Sequence, residues 1–347
     1  MLRSSIFSFE SLSGFSPRMP ATVLSVLALV LLLEGVMRFI PADKLMPGKS
    51  RQSEMRFLKK ELLDKSPEPA VLLMGSSRIR RAVNPRLLDQ QLGLPEHSTL
   101  NLGLASGRLF EALYFYRENY DKLKSAKLVV LGIDEWHLST GWRLGSVYEL
   151  NAPWSERFAM SGRLRNQLVL DGLFSMRLKM RLLPNAVAVA LGIRKPESPG
   201  LTVTDDYQVL PKARKTLPAD IDPRRFHETI GTFYENFAIH PVMEGHVEAI
   251  AKLVKESGGQ LVLMQLPNRA AYQREIERLK KDEFEQHVAA MSALAKRLDV
   301  PWYLYRDPSE CGLDELSFQD YGHMTPEGAK AFTRFVAPLF KQHLQRR

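Results

Sequence analysis

The chemistry this sequence could perform centres on one serine, one histidine and one aspartate. Ser77 follows the apolar run Ala70-Val-Leu-Leu-Met74 through the turn Gly75-Ser76, so a buried strand would present its hydroxyl at the edge of a sheet, near unpaired backbone N–H groups. A serine hydroxyl is a weak nucleophile unless a base takes its proton, and a histidine oriented by a carboxylate is the usual base. Asp320 and His323 offer that pair within one loop. At a spacing of three, the carboxylate can reach the ring, fix its tautomer and stabilise the imidazolium formed when His323 takes the serine proton. Asp-x-x-His alone recurs by chance, and its weight comes from lying just ahead of a capped C-terminal helix.

Other chemistries find no support. Gly48-Lys49-Ser50 has the ending of a phosphate loop, but Asp43 stands where the first glycine is required and no strand precedes it. There is no His-Glu-x-x-His, no Gly-x-Gly-x-x-Gly and no basic recognition-helix signature, so metal, dinucleotide and specific nucleic-acid binding are not expected. The single cysteine, Cys311, excludes an intrachain disulfide and a cysteine-rich zinc site. No cofactor is expected.

The elements that must position these residues alternate. Strands are expected at Ala70–Met74, Ser98–Leu102, Lys127–Leu131, Gln260–Met264 and Trp302–Tyr305, with helices over Val83–Gln91, Leu109–Leu123, Val242–Glu256, Ala271–Leu298 and Ala329–Leu344. That rhythm predicts an α/β fold with a parallel sheet covered on both faces, and loops at the strand carboxyl ends converging on one crevice. Thr325 is placed to cap the last helix, with Pro326 at its first position. From residue 139 to 240 the alternation stops, and a basic segment with Arg157, Arg163, Arg165, Arg177, Lys179, Arg181, Arg194 and Lys195 takes over. It reads as an inserted, partly helical lid, or equally as a solvated helical face.

With 347 residues, 45% of them hydrophobic, the chain has ample material for one large core and shows no repeat. Lys and Arg number 48 against 39 Asp and Glu, a formal charge of +9 that suits anionic partners. Pro20–Leu33 is uncharged, and the apolar character continues to residue 40, enough for one membrane span. No small-x-small site follows it, which favours an uncleaved anchor at residues 20–40 behind a tail at 1–19, with a linker at 41–68 and the main domain at 69–345. Basic residues are denser after the span than before it, which taken alone would put the bulk of the chain inside.

Gly75-Ser76-Ser77, Gly103 within Asn101-Leu-Gly-Leu-Ala-Ser-Gly107, Gly132-Ile-Asp134 and Asp320-Tyr-Gly-His323 resemble, in order and spacing, the four blocks of the SGNH (GDSL-type) hydrolase and acyltransferase superfamily. The resemblance implies a flavodoxin-like three-layer α/β/α fold, with Ser77 as nucleophile, His323 as base and Asp320 as its orienting acid. It also implies an oxyanion hole from the Ser77 and Gly103 N–H groups and a third-block asparagine, where this chain has Asp134. An ionised carboxylate cannot donate to an oxyanion, so Asp134 must be protonated, turned away or otherwise employed. Alginate-acetylating relatives pair an early Asp-x-His with a late serine; Asp134-Glu-Trp-His137 is one residue too long for that and no late Gly-x-Ser turn occurs.

The blocks most resemble membrane-anchored members associated with cell-envelope polymer acylation, including those similar to DltD. That implies a single-pass protein of a bacterial inner membrane with its catalytic domain in the periplasm or outside. It implies an esterase or O-acyltransferase acting on O-acyl groups of an envelope polysaccharide, beside membrane lipid and a polytopic acyl exporter. The alternative is a non-catalytic envelope scaffold that keeps the fold and holds glycan on the basic segment.

Overall fold

The structure, a computed structural model, describes residues 21–39, 50–66, 68–140, 144–175, 179–180, 183–193, 199–211 and 223–345. The tail at 1–19, residues 41–49 of the linker, and Arg177, Arg181, Arg194 and Lys195 of the basic segment lie outside the described residues.

The strands are β1 (Val71–Met74), β2 (Thr99–Asn101), β3 (Leu128–Gly132), β4 (Leu201–Val203), β5 (Val209–Pro211), β6 (Gln260–Gln265) and β7 (Trp302–Leu304). Five form one parallel sheet in the order β2-β1-β3-β6-β7, while β4 and β5 pair as a separate antiparallel hairpin. Leu72 lies opposite Leu100 on one side and Val129 on the other, and Val130 lies opposite Val262. Every residue of β1 and β3 is buried, as an unbroken apolar run requires when helices cover both faces.

Strand periodicity sorts these side chains into two cores. Leu72, Met74, Val129, Leu131 and Leu263 face a layer containing α5 (Leu109–Glu118), α11 (Pro241–Glu256) and α13 (Lys281–Leu298), through Leu113, Tyr116, Val247 and Leu294. Val71, Leu73, Val130, Val262 and Met264 face α3 (Ser77–Ala82), α4 (Pro85–Leu92) and α14 (Pro326–Gln345), through Ile79, Leu88, Phe332 and Phe340. The result is the expected three-layer α/β/α fold. Because β1 sits between β2 and β3, the chain winds outward from β1 in both directions, and the carboxyl ends of β1 and β3 flank the switch point where such sheets open a crevice.

Some boundaries differ from the sequence reading. The helix expected from Val83 starts instead at Ser77 and is interrupted at Val83-Asn84. There the Asn84 side chain accepts the Leu87 N–H at 2.9 Å and Pro85 opens a new helix, a strong local start signal. The long helix expected over 271–298 breaks at Lys280 into α12 (Ala270–Leu279) and α13. The segment 139–240 is partly helical, with α6 (Ser146–Asn151), α7 (Trp154–Ala159), α8 (Gly162–Leu173), α9 (Leu183–Ala190) and α10 (Pro223–Phe233). It also contains the β4–β5 hairpin, which the sequence reading missed. That hairpin rests on the main domain: Gln208 Nε2 donates to Val83 O at 3.2 Å, and the Tyr207 ring lies 3.9 Å from His97.

At the N-terminal end of the described chain, α1 (Ala21–Phe39) is apolar and, at about 28 Å, long enough to cross a membrane; most of its side chains are exposed. Its last turns meet the insertion. Next comes α2 (Arg51–Glu61), capped by Ser50 accepting the Ser53 N–H. The Glu54 carboxylate accepts the Ala105 N–H at 3.1 Å and pairs with Arg80, tying α2 to the loop after β2.

Candidate active site

The crevice at the β1/β3 switch point is built by three strand-end loops and the loop before α14. β1 ends in Gly75, whose φ of +131° is open to glycine; a Cβ there would also fall 2.4 Å from Gly132 O, so β1 and β3 come this close only because residue 75 has no side chain. Ser76 then caps α3 by accepting the Arg78 N–H at 3.1 Å, which puts Ser77 at the first helical position, half-buried, with an N–H that has no partner inside the helix.

Ser77 Oγ lies 2.7 Å from His323 Nε2, although 246 residues separate them in sequence. His323 Nδ1 lies 2.7 Å from Asp320 Oδ2. The other Asp320 oxygen accepts the backbone N–H of Gly322 at 3.0 Å and of His323 at 2.8 Å, so the carboxylate is fixed by its own turn. An acceptor at Nδ1 leaves the proton there and frees the Nε2 lone pair for the serine hydroxyl. Burial raises the Asp320 pKa, but the charge and hydrogen bond of His323, together with the two N–H donors, outweigh it and hold the carboxyl down at about 2. Asp320 is thus an anion throughout the neutral range.

The loop holding this pair is braced on every side. Phe318 bridges to Met324 at its neck, and Gln319 N donates to His323 O at 2.7 Å. Arg81 of α3 donates to the Gln319 side chain at 2.8 Å, coupling the serine's helix to the histidine's loop. Tyr321 packs on Tyr272 and Phe233, at ring separations of 5.0 and 5.5 Å, within a third apolar cluster formed by α10, α12 and Trp136. Thr325 caps α14 by accepting the Gly328 N–H at 3.1 Å.

Gly103, on the loop after β2, packs under α3. A Cβ there would sit 2.6 Å from Ser76 O, so glycine is dictated by close approach. Its N–H is directed at Asn101 Oδ1, 3.3 Å away, while the Asn101 amide donates to Ile79, Arg80 and Val83 carbonyls, tying the end of α3 to β2.

Asp134 has another employment. Its carboxylate is buried, accepts the Ser76 hydroxyl at 2.5 Å and pairs with Arg78 Nη1 at 2.9 Å. Burial raises its pKa, yet the Arg78 charge, then His137 and the Ser76 hydrogen bond, bring it below the ordinary carboxylate value. It is therefore an acceptor turned toward α3, and it supplies no N–H to the crevice. His137 belongs to the same frame: its Nδ1 accepts the Asp134 N–H at 2.7 Å, so Nε2 carries the proton and donates to Gly107 O at 2.8 Å. Burial pushes His137 down to about 4, which keeps it neutral and makes it a brace for two loops.

The sequence reading passed over Arg78 and Glu135. Arg78 is 2% exposed; besides Asp134 it pairs with Glu135 at 3.3 Å and donates through Nη2 to Leu266 O and Pro267 O at 2.9 and 3.2 Å. One guanidinium thus fastens the ends of β1, β3 and β6 beneath Ser77. A signal was present: an arginine directly after the serine at one strand end, and the acidic pair Asp134-Glu135 at the neighbouring strand end.

Among the described residues no group of three or more His, Cys, Asp or Glu is arranged to hold a metal ion. No family model matches the chain, and no curated protein matches it. Solved structures similar to it include one assigned as an acylhydrolase from Bacteroides fragilis, 13% identical with a TM-score of 0.41, covering 84% of this chain and 96% of that one. Another is a GDSL-like lipase from Bacteroides thetaiotaomicron, 14% identical with a TM-score of 0.39, covering 83% of this chain and 97% of that one.

Proposed function

We propose that the chain is a membrane-anchored serine esterase or O-acyltransferase acting on O-acyl groups of a cell-envelope polysaccharide. The observation that carries the proposal is the relay Ser77–His323–Asp320, with both heavy-atom distances at 2.7 Å and the tautomer set by an anionic Asp320.

In the first half-reaction Ser77 Oγ attacks the acyl carbonyl carbon as its proton moves to His323 Nε2. The tetrahedral oxyanion is held by the backbone N–H of Ser77 and by that of Gly103, which gives up its long 3.3 Å bond to Asn101 Oδ1 to reach it. Collapse expels the donor's oxygen, which takes the proton from His323 and leaves an acyl ester on Ser77. In the second half a sugar hydroxyl gives its proton to His323, attacks the ester and restores Ser77. Water in place of the sugar gives deacylation. With Asp134 an acceptor, the third donor of the related oxyanion holes is missing, a deficit of about 10²–10³ in rate for one such donor. We infer that transfer beside the membrane is the favoured outcome, with a glycan hydroxyl held in place supplying by proximity what the oxyanion hole lacks.

The test is labelling of the full-length protein with a fluorophosphonate, followed by peptide mapping. An adduct on Ser77 that is absent in Ser77→Ala and at least 100-fold slower in His323→Ala supports an activated serine. A folded protein that takes up no label would sink the enzyme reading and favour a glycan-holding scaffold. With an acetylated oligosaccharide donor, acetyl appearing on added acceptor faster than free acetate separates transfer from hydrolysis.

A further inference from the structure

We infer that the inserted segment around residues 154–193 rests on the lipid surface and is a second, in-plane membrane contact at the foot of the anchor. This rests on the reading of α1 as a membrane span. Four hydrogen bonds tie the insertion to the last turns of that helix. The Ser175 N–H and hydroxyl donate to Glu34 Oε1 at 2.9 and 2.8 Å, Arg38 donates to Leu173 O at 3.0 Å, and Lys179 Nζ donates to Met37 O at 2.6 Å. Glu34 lies five residues inside the end of α1, about 7 Å along the helix axis. Leu173, Ser175 and Lys179 are thereby held level with the end of the span, at the depth where headgroups meet hydrocarbon.

The insertion displays apolar side chains that nothing among the described residues covers. Phe158, Leu170, Leu173, Phe174, Leu191 and Ile193 are all exposed, Leu191 and Ile193 by 68% and 76%. Trp154 stands among them, stacked on Phe158 with ring centroids 5.7 Å apart and packed against the backbone of Gly172, just before Leu173. A soluble surface seldom gathers so many large apolar groups, whereas a helix pair lying in a bilayer interface needs them, with tryptophan at the headgroup level. The basic residues agree: Arg163 and Arg165 are exposed in the first turn of α8, positioned for anionic headgroups. The occupant that fits is the bilayer itself, because the patch continues directly from a helix whose own exposed flank is apolar.

The consequence concerns the active-site crevice. The insertion leaves the main domain just after the β3 end, beside Asp134 and His137. Two contacts, the span and the insertion, fix the tilt of the domain over the membrane, whereas a single helix on a linker leaves it free to rotate.

Spin labels on the full-length chain in liposomes of phosphatidylethanolamine and phosphatidylglycerol test this. Single cysteines are introduced at Phe158→Cys, Leu191→Cys, Leu29→Cys within α1 and Arg334→Cys on α14, each with Cys311→Ser. The expected result is that oxygen relaxes the labels at 158 and 191 several-fold more than a neutral nickel chelate does, as at 29, with the opposite preference at 334. If 158 and 191 behave like 334 while 29 reads as lipid, the insertion sits in water and the inference is overturned with the anchor intact. Shielding of 158 and 191 from both reagents would overturn it in favour of a protein partner or a second copy. An aqueous reading at 29 would remove the span and the inference together.

Discussion

The position of one proton decides what Ser77 can do. His323 Nδ1 faces a carboxylate whose pKa is held down at about 2, so through the neutral range the ring is oriented with Nε2 toward the serine. Asp320→Asn keeps the shape but offers an amide that can present an N–H to Nδ1 and favour the wrong tautomer; the fluorophosphonate labelling rate should fall by about 10³–10⁴ with the fold unchanged by circular dichroism. The same carboxylate carries a stability signature. Its folded pKa lies below its unfolded value, so its contribution is complete above about pH 4 and is lost as pH falls through about 2. Urea unfolding of the wild type between those limits should lose about 2 kcal/mol more than Asp320→Asn does, a figure reduced for the partial exposure of the pair. Arg78 is the second residue on which the site turns. It is the cation facing Asp134 and Glu135, both buried, so Arg78→Met should destabilise the protein by about 3–5 kcal/mol, and adding Asp134→Asn should restore part of that loss. A double variant whose loss equals the sum of the Arg78→Met and Asp134→Asn losses would show that the pair is not coupled.

At the scale of elements, the histidine depends on a helix cap. Thr325 lies two residues beyond His323, accepts the Gly328 N–H and donates its own N–H to Ser317 O at 2.9 Å. Thr325→Ala should cost about 1 kcal/mol of stability and slow serine labelling, with Thr325→Ser restoring both; a labelling rate unchanged in Thr325→Ala would mean that Tyr321 and Gln319 alone hold the loop. This cap was legible in the sequence, as were the five sheet strands, because each rests on a local pattern: a short apolar run, closed by glycine at β1, β2 and β3, or a threonine before a proline. The breaks at Asn84 and Lys280 were harder to see, since apolar periodicity runs straight through them and only the cap at Asn84 or the backbone angle at Lys280 interrupts the helix. The β4–β5 hairpin escaped notice for another reason: its three-residue strands lie within 139–240, where the strand-helix alternation that frames the equally short β2 and β7 has stopped. For the site, Ser77, Asp320 and His323 could be singled out by type and spacing. Arg78 could not be weighed in the same way, because its role arises from three strand ends that only the folded sheet brings together.

At the scale of the whole molecule, two regions far apart in sequence meet at Glu34. A carboxylate near the end of an apolar helix costs free energy unless it is paired, and here it is 7% exposed, with Arg38 one turn on and Ser175 donating twice from the insertion. The sequence alone presents Glu34 as an interruption of an apolar run; the structure makes it the joint between α1 and the insertion. Glu34→Ala removes the acceptor shared by Ser175 and Arg38, leaving Arg38 on the Leu173 carbonyl and Lys179 on the Met37 carbonyl as the ties described above. The sheet and its two helix layers do not touch this joint, so their stability should be untouched. The expected outcome is therefore selective: cleavage of the full-length protein within residues 174–180 by a protease of broad specificity should accelerate several-fold, while the urea midpoint of the α/β domain stays the same. Unchanged cleavage would show that the insertion is held by its own packing, through Arg157 on the Ala152, Glu149 and Leu168 carbonyls, and owes nothing to α1. Faster cleavage together with a lower midpoint would show instead that α1, insertion and sheet fold as one cooperative unit.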